Sequence, residues 1–133
     1  MPHQIVEVSP NIGEMLDIKT LSQTLHRCAL GQDALAIGGV RTRVYKASHT
    51  IIADESSSYG FIAVYLRIAE GRSEEVRKNM GEQLMQCLVD FVDEKAGNVP
   101  LALSYEIQEI KADMRWNRNR IPEFMNEGIR PHE

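Results

Sequence analysis

The chain has 133 residues, 43% of them hydrophobic and 26% charged, which is typical of one soluble domain with a sizeable core. The formal net charge of −4 at pH 7 provides no overall basic field to attract nucleic acid or an anionic membrane. No apolar run approaches the roughly 20 residues that cross a bilayer, and no basic segment leads into an apolar one as in a secretory leader. We therefore expect a cytoplasmic protein that binds any anionic ligand through local arginines.

The first part of the chain predicts a strand, a helix and a second strand. Residues 3–8 (His-Gln-Ile-Val-Glu-Val) are rich in β-branched side chains and predict a strand that starts at the N-terminus. Apolar residues at helical spacing predict a helix over 17–31, with Asp17 as its N-cap. Residues 40–45 (Val-Arg-Thr-Arg-Val-Tyr) predict the second strand, and 50–53 a further extended piece.

The second part repeats this plan. Residues 61–68 (Phe-Ile-Ala-Val-Tyr-Leu-Arg-Ile) predict an apolar strand, and Ser73 is placed to cap the helix that follows. Glu74 and Glu75 lie in the first turn of that helix, where its dipole favours negative charge. After a turn, residues 101–110 predict the last strand.

The repeated pattern predicts the fold class. Each strand–helix–strand unit is expected to form a parallel pair with a right-handed crossover. Two such units, about 2–58 and 59–110, predict one α+β domain over 1–133, a two-layer structure with a four-stranded mixed sheet and two helices on one face. The strands carry apolar residues at both parities, so the uncovered face is expected to pack against another subunit.

The cysteines, the histidines and a glycine pair could in principle form a disulfide framework, a metal site or a phosphate-binding loop. Cys28 and Cys87 are too few for a disulfide framework and both fall on the apolar side of predicted helices, which favours buried reduced thiols. The histidines have no metal-ligand spacing, and Gly38-Gly39 lacks the rest of a phosphate-binding loop. These residues therefore predict no metal site and no nucleotide binding.

The polar C-terminal extension, 111–133, contains two isolated aromatic residues, Trp116 and Phe124. A polar tail without attachment would be disordered. The aromatic side chains predict that this tail docks on its own subunit or on a neighbouring one.

Pro2 is the first candidate for catalysis. Small second residues generally permit removal of Met1, and a freed proline nitrogen is a secondary amine held in place by the strand that follows. An ordinary α-amino pKa of about 8 leaves roughly a tenth of the amine unprotonated at pH 7. Burial and nearby cations would lower that pKa and favour the free base. On these residues alone, an N-terminal proline without a catalytic role is the commoner case.

Three arginines could bind an anionic substrate. Arg41 and Arg43 lie two apart on a predicted strand, so both side chains leave the same face, and Arg72 lies at a strand-to-helix corner. Guanidinium groups bind carboxylates with two parallel hydrogen bonds. Taken singly, each arginine is more often a solvated surface charge.

Four sequence blocks in order carry a resemblance: Met-Pro-His-x-Ile-Val-Glu at the start, Arg-x-Arg-Val at 41–44, Ile-Ala-Glu-Gly-Arg-Ser at 68–73 and Leu-Ala-Leu-Ser-Tyr-Glu-Ile at 101–107. Over about residues 2–120 the chain resembles the 5-carboxymethyl-2-hydroxymuconate isomerase family of the tautomerase superfamily. The resemblance implies a homotrimer of two-unit subunits whose sheets face inward. It also implies a cofactor-independent isomerase of homoprotocatechuate (4-hydroxyphenylacetate) catabolism, acting on a small polycarboxylate.

The resemblance also implies residue roles. Pro2 would take the 2-hydroxyl proton and return a proton to C5, while Arg41 and Arg72 would bind substrate carboxylates and assist catalysis. Arg43 matches by position and is either a further substrate ligand or structural. Segment 45–60 and residues 121–133 depart from the family pattern, and either could line the pocket. Two alternatives stay open: a tautomerase for another 2-hydroxydienoate or enol acid, and a non-catalytic oligomeric binding protein of the same fold.

Overall fold

The order of strands and helices follows the predicted repeat. The computed structural model describes residues 1–125. Strands β1 (His3–Val8) and β2 (Arg41–Lys46) flank helix α1 (Ile18–Leu30), and strands β3 (Gly60–Ala69) and β4 (Leu101–Ile110) flank helix α2 (Glu74–Lys95). Four short 3-10 turns complete the described elements: Ile12–Glu14, Ile37–Gly39, Ala112–Met114 and Ile121–Phe124.

The four strands form one mixed sheet in the order β2-β1-β3-β4. The pairs β1–β2 and β3–β4 are parallel, whereas the central pair β1–β3 is antiparallel. Each strand–helix–strand unit therefore contributes a parallel pair, and the two units join through their first strands. This confirms the predicted arrangement of two βαβ units in one four-stranded mixed sheet.

Both helices begin where the sequence predicts. The Asp17 side chain accepts a hydrogen bond from the backbone N–H of Thr20, and Ser73 Oγ accepts one from Val76 N–H at 3.1 Å. Each cap satisfies a donor that the first turn of a helix leaves without an intrahelical partner. The caps fix the starting points of α1 and α2 relative to the sheet.

The core lies between the helices and one face of the sheet. Val6 and Ile62 are fully buried there against residues such as Leu25 and Leu88 from the two helices. Strands β1 and β3 alternate buried residues with half-buried or exposed ones, as a sheet covered on one face does. Residues 1–125 of the single chain therefore leave the second face of the sheet, which we call the open face, without cover.

The predicted extended piece at 50–53 is wrong. Residues 47–59 contain turns and no strand. Ala53 and Glu55 have positive φ angles of 50° and 75°, and this left-handed backbone interrupts an extended chain. The local residue preferences of 50–53 did not reveal these turns.

The prediction of reduced thiols is also wrong, because Cys28 and Cys87 form a disulfide. Cys28 lies on α1 and Cys87 on α2, 59 residues apart in the chain. The two helices pack side by side on one sheet face, which brings these positions together. Cysteine count and spacing along the chain did not reveal the proximity. Among residues 1–125, no helix has the length and apolar character needed to cross a membrane.

Candidate active site

The backbone holds Pro2 firmly at the start of β1. Pro2 is buried, and its carbonyl oxygen accepts a hydrogen bond from the backbone N–H of Arg41 at 3.1 Å. This bond extends the pairing of β1 with β2 toward the N-terminus. A residue held in this way has one defined position relative to Arg41.

Gly38 and Gly39 let two other segments approach closely. A Cβ added at Gly39 would lie 3.2 Å from Pro2 Cδ, and one at Gly38 would lie 2.8 Å from Pro122 Cγ. Asn119 Nδ2 also donates a hydrogen bond to the Gly38 carbonyl oxygen at 2.8 Å. The glycine pair therefore lies between the N-terminus and the C-terminal extension, which explains why no side chain is present there.

The C-terminal extension docks on its own subunit, as predicted, but not through its aromatic residues. Asn119 and Pro122 make the contacts to Gly38, whereas Trp116 and Phe124 are 84% and 76% exposed in the single chain. The predicted aromatic anchors are thus wrong for docking within one subunit. Residues 126–133 of the predicted extension lie outside the described residues.

A cleft of about 390 Å³ opens beside Pro2, and we call it the Pro2 cleft. Its lining consists of Met1, Pro2, Ala36, Gly38, Gly39, Arg72, Asn117, Asn119 and Pro122. Arg72 is the cation that the structure brings into this cleft. The C-terminal extension forms the opposite wall, whereas segment 47–59 contributes to a separate cleft near Asn11, beyond the other end of β1.

Backbone carbonyl groups fix the Arg72 side chain. Arg72 Nε and Nη2 donate to the Ala34 carbonyl oxygen at 3.0 and 2.6 Å, and Nη1 donates to the Ala69 carbonyl oxygen at 3.0 Å. Three of the five guanidinium N–H groups are thus engaged, which leaves two for a ligand. The guanidinium group is held in place before any ligand binds, an arrangement that suits a fixed carboxylate-binding group.

A second cleft of about 450 Å³ adjoins the first, and the two share Met1 and Asn117. We call it the arginine cleft. It brings together four arginines and one histidine: His3, Arg41, Arg67, Arg115 and Arg118. The electrostatic effect reaches the chain terminus, since burial, followed by Arg115, Arg41 and Arg72, lowers the pKa of the Met1 α-amino group below 8.0.

His3 lies between the two arginines of β2. Arg41 Nη2 lies 3.5 Å from His3 Nε2, and Arg43 Nη1 lies 3.3 Å from His3 Nδ1. Burial and then the nearby arginines lower the His3 pKa, so the ring is neutral near pH 7. The two arginines leave the same face of the strand, as predicted. Arg43 lines neither the Pro2 cleft nor the arginine cleft.

Three arginines of the arginine cleft were not predicted from the sequence, namely Arg67, Arg115 and Arg118. A signal for Arg67 was present, because it interrupts the apolar run of β3 and pairs in register with His3. Arg115 and Arg118 lie in an irregular segment, and nothing local indicates that this segment returns to the start of β1.

Comparison with known proteins identifies the family. A family described as 5-carboxymethyl-2-hydroxymuconate isomerase matches residues 2–125. The chain belongs to this family. It is 31% identical over 121 residues to a 5-carboxymethyl-2-hydroxymuconate Delta-isomerase from Escherichia coli, which covers 91% of this chain and 96% of that protein.

Solved structures agree with this assignment. A 5-carboxymethyl-2-hydroxymuconate isomerase from Deinococcus radiodurans R1 is 34% identical, with a TM-score of 0.83 over 94% of this chain and 95% of that one. A macrophage migration inhibitory factor-like protein from Entamoeba histolytica, 12% identical with a TM-score of 0.60, covers 89% and 96% of the two chains and shares the fold alone. This member of the 5-carboxymethyl-2-hydroxymuconate isomerase family is therefore an enzyme, and its reaction class is isomerisation.

Proposed function

We propose that this isomerase converts 5-carboxymethyl-2-hydroxymuconate into its 2-oxo-3-ene tautomer, in homoprotocatechuate (4-hydroxyphenylacetate) catabolism. Pro2, freed by removal of Met1, is the proposed base and acid, and no cofactor takes part. The observation that carries this proposal is the position of Pro2, which is buried and lines the cleft that contains Arg72, while its neighbour His3 lines the adjoining cleft that contains Arg41. A secondary amine at this point would face a substrate surrounded by fixed positive charge.

The proposed reaction moves one proton. The Pro2 nitrogen takes the proton of the 2-hydroxyl group, and the electron pair of that O–H bond forms the C2 carbonyl. The C2–C3 double bond shifts to C3–C4, and the C4–C5 electron pair takes a proton at C5 from the Pro2 ammonium. The amine is thereby regenerated, and the atoms and charges balance.

Fixed guanidinium groups support this chemistry. The Met1 amino group already has a lowered pKa, caused by burial and then by arginines, and Pro2 lies one residue further into the same environment. Negative charge that develops on the dienolate would be stabilised by Arg41, which lies beside the strand start. The two free N–H groups of Arg72 suit one substrate carboxylate. Arg43 is the weaker candidate for binding the substrate, because its guanidinium group contacts His3.

We also propose that the enzyme is a homotrimer. On the open face, Ile5, Phe61 and Tyr65 are only half-buried in one chain, and Tyr45 is 56% exposed. Such a surface favours cover by further copies of the same chain. Light scattering during size-exclusion chromatography is expected to give three times 15.1 kDa, and a monomer mass would contradict the trimer.

Cytoplasmic location stays a prediction, and the disulfide between Cys28 and Cys87 opposes it, because structural disulfides are rare in a reducing cytosol. Rapid alkylation of intact cells followed by mass spectrometry measures the redox state in place. Alkylated cysteines are expected for a cytoplasmic enzyme, and a fully oxidised pair would argue for another compartment.

The central experiment uses protein whose intact mass proves that Met1 is absent. Turnover of 5-carboxymethyl-2-hydroxymuconate is followed by ultraviolet absorbance beside a simpler 2-hydroxydienoate and the enol of phenylpyruvate. Pro2→Ala is expected to fold normally and to lose about two to four orders of magnitude in turnover. Unchanged turnover in this variant would rule out the proposed role, and activity on the simpler dienoate alone would assign another substrate.

A further inference from the structure

The arginine cleft is positively charged, although the protein as a whole has a negative net charge. Four of its lining residues are arginines (Arg41, Arg67, Arg115 and Arg118), and no aspartate or glutamate of the described part of the chain lines it. The protein as a whole carries a net charge of −4. The positive charge of the cleft therefore arises because the fold brings these four arginines together.

Two separate parts of the chain supply these charges. In the sheet, Arg41 and Arg67 both lie in register with His3, one on each side of it. Neighbouring strands are about 4.8 Å apart, so the two backbones lie roughly 10 Å from each other. The segment that follows β4 adds Arg115, which is half-buried, and the exposed Arg118. The cations thus approach one space from different directions.

Nothing within residues 1–125 neutralises this charge. None of the four arginines forms an ion pair with a carboxylate in that part of the chain, whereas Arg77 and Arg120 do so with Glu109 and Glu123. Like charges gathered without counterions oppose folding. A bound anion would remove that repulsion.

Arg41 differs from Arg72 in its hydrogen bonding. Arg41 Nε is buried and has no hydrogen-bond partner among the described residues. Arg72, in contrast, donates from all three of its nitrogen atoms to backbone carbonyl groups. A buried donor without a partner destabilises the folded state, so the position of Arg41 is not explained by internal bonding.

We propose that the arginine cleft is a substrate-specificity subsite in which Arg115, assisted by Arg67 and Arg118, binds the carboxylates at the C5 end of the substrate. This inference rests on the proposed function and extends it to residues outside Pro2, Arg41 and Arg72. The subsite selects polycarboxylates over enol acids with one carboxylate, because only the former reach both clefts at once. Arg115 is the main determinant, since it is less exposed than Arg67 or Arg118.

A binding experiment tests the subsite without turnover. Trp116 lines the same cleft, is 84% exposed and is the single tryptophan of the sequence, so its fluorescence reports on this cleft directly. Met-free protein is titrated with tricarballylate, a saturated tricarboxylate, and with propionate. Saturable, salt-sensitive binding of tricarballylate is expected, and propionate is expected to bind far more weakly.

Arg115→Ala is expected to weaken tricarballylate binding about 10- to 100-fold, the loss typical of one charge-assisted pair of hydrogen bonds. Arg120→Ala is the matched control, because Arg120 lies in the same segment but pairs with Glu123 and lines neither cleft. Wild-type affinity in the Arg115 variant, or equal affinity for propionate and tricarballylate in the parent protein, would overturn the subsite.

Kinetics separate binding from a general structural effect. On the alkaline plateau of the pH profile, Arg115→Ala is expected to raise KM for 5-carboxymethyl-2-hydroxymuconate about 10- to 100-fold and to change kcat by only a few-fold. On the same plateau, its kcat/KM for the enol of phenylpyruvate should match that of the parent enzyme. Equal losses on both substrates would refute a specificity role. If the parent protein turns over neither substrate, the proposed function fails, while the fluorescence titration still decides the subsite.

Discussion

The α-carbon of Gly39 packs against the ring of Pro2, so that a Cβ added at Gly39 would lie 3.2 Å from Pro2 Cδ. That distance is shorter than almost all contacts that real Cβ atoms make. The absence of a side chain at residue 39 is therefore part of what sets the position of the proposed catalytic nitrogen.

Replacing Gly39 by alanine is expected to shift Pro2 by a few tenths of an ångström and to lower kcat/KM about tenfold, because proton transfer depends on geometry. The free energy of unfolding should change by no more than about 1–2 kcal/mol, since relieving a 3.2 Å contact needs a shift of only a few tenths of an ångström. Steady-state kinetics and urea unfolding measure the two effects.

Gly13→Ala is the matched control, because a Cβ there meets no atom within 4 Å. It is expected to leave turnover unchanged. Equal kcat/KM values for the two alanine variants and the parent enzyme would show that Gly39 does not set the position of Pro2.

The pH dependence of activity follows from the charges around the N-terminus. The proposed base acts only when unprotonated, so kcat/KM is expected to fall as the pH drops below its pKa. With Met1 present, burial, then Arg115 and Arg41, lower the pKa of the Met1 α-amino group. The Pro2 amine would lie one residue further along in the same surroundings, so the acidic limb is expected below the ordinary α-amino pKa of about 8.

In Arg115→Ala, the loss of one nearby cation favours the ammonium form and raises the pKa of the amine, so the acidic limb is expected to move to higher pH. Arg120→Ala should leave the limb in place. Profiles of kcat/KM from pH 5 to pH 9 on the phenylpyruvate enol measure the shift, and a limb that moves to lower pH would contradict this electrostatic account.

The disulfide between Cys28 and Cys87 is expected to stabilise the fold. It joins two helices through cysteines that are 59 residues apart in the chain, and closing a loop of this length restricts the unfolded state. Reduction is expected to lower the free energy of unfolding by about 2–4 kcal/mol.

Denaturant unfolding with and without a phosphine reductant, at one protein concentration, measures this difference. A variant with serine at both positions is expected to have the same free energy of unfolding as the reduced protein, and the reductant should not change it. Equal stability of the oxidised and reduced parent protein would contradict the prediction.

A partly buried chain of hydrogen bonds links β4 to β1. The Tyr105 hydroxyl group donates to Gln4 Oε1 at 2.7 Å, and Gln4 Nε2 donates to the Leu25 carbonyl oxygen and to Thr42 Oγ1. Gln4 is fully buried, and burial raises the pKa of Tyr105, so its hydroxyl group stays protonated as a donor.

Tyr105→Phe leaves Gln4 Oε1 buried without this donor and is expected to destabilise the fold by about 1–3 kcal/mol. Tyr45→Phe serves as the control, because Tyr45 is 56% exposed. Urea unfolding of both variants measures the loss in free energy of unfolding. If Tyr105→Phe loses no more than Tyr45→Phe, the bond from Tyr105 to Gln4 contributes little to stability.

Much of the fold was predictable because its signals are local. Strand β4 occupies 101–110 as predicted, and Asp17 and Ser73 cap the helices because their side chains reach N–H groups only three residues away. The failed prediction at 50–53 has a local cause too, since Ala53, and Glu55 just after it, have positive φ angles that residue preferences disfavour.

The site was predictable only in part. Arg41 and Arg72 were identified from sequence blocks, and the structure brings them to the two adjoining clefts near Pro2. Arg115 was missed because it reaches the cleft through the docking of the C-terminal extension on Gly38. A contact between segments about 80 residues apart leaves no periodic pattern in either one.

By itself the sequence determined the repeated strand–helix–strand pattern, the helix starts and the presence of an N-terminal Pro2 before a strand, because these depend on neighbouring residues. The tertiary structure alone decided that Cys28 meets Cys87, that Gly39 contacts Pro2 and that four arginines share one cleft. These relationships depend on strand register and on helix packing, which bring together residues that are distant in the chain. The register places His3 between Arg41 and Arg67, and this brings two of the four cations of the arginine cleft together on the sheet.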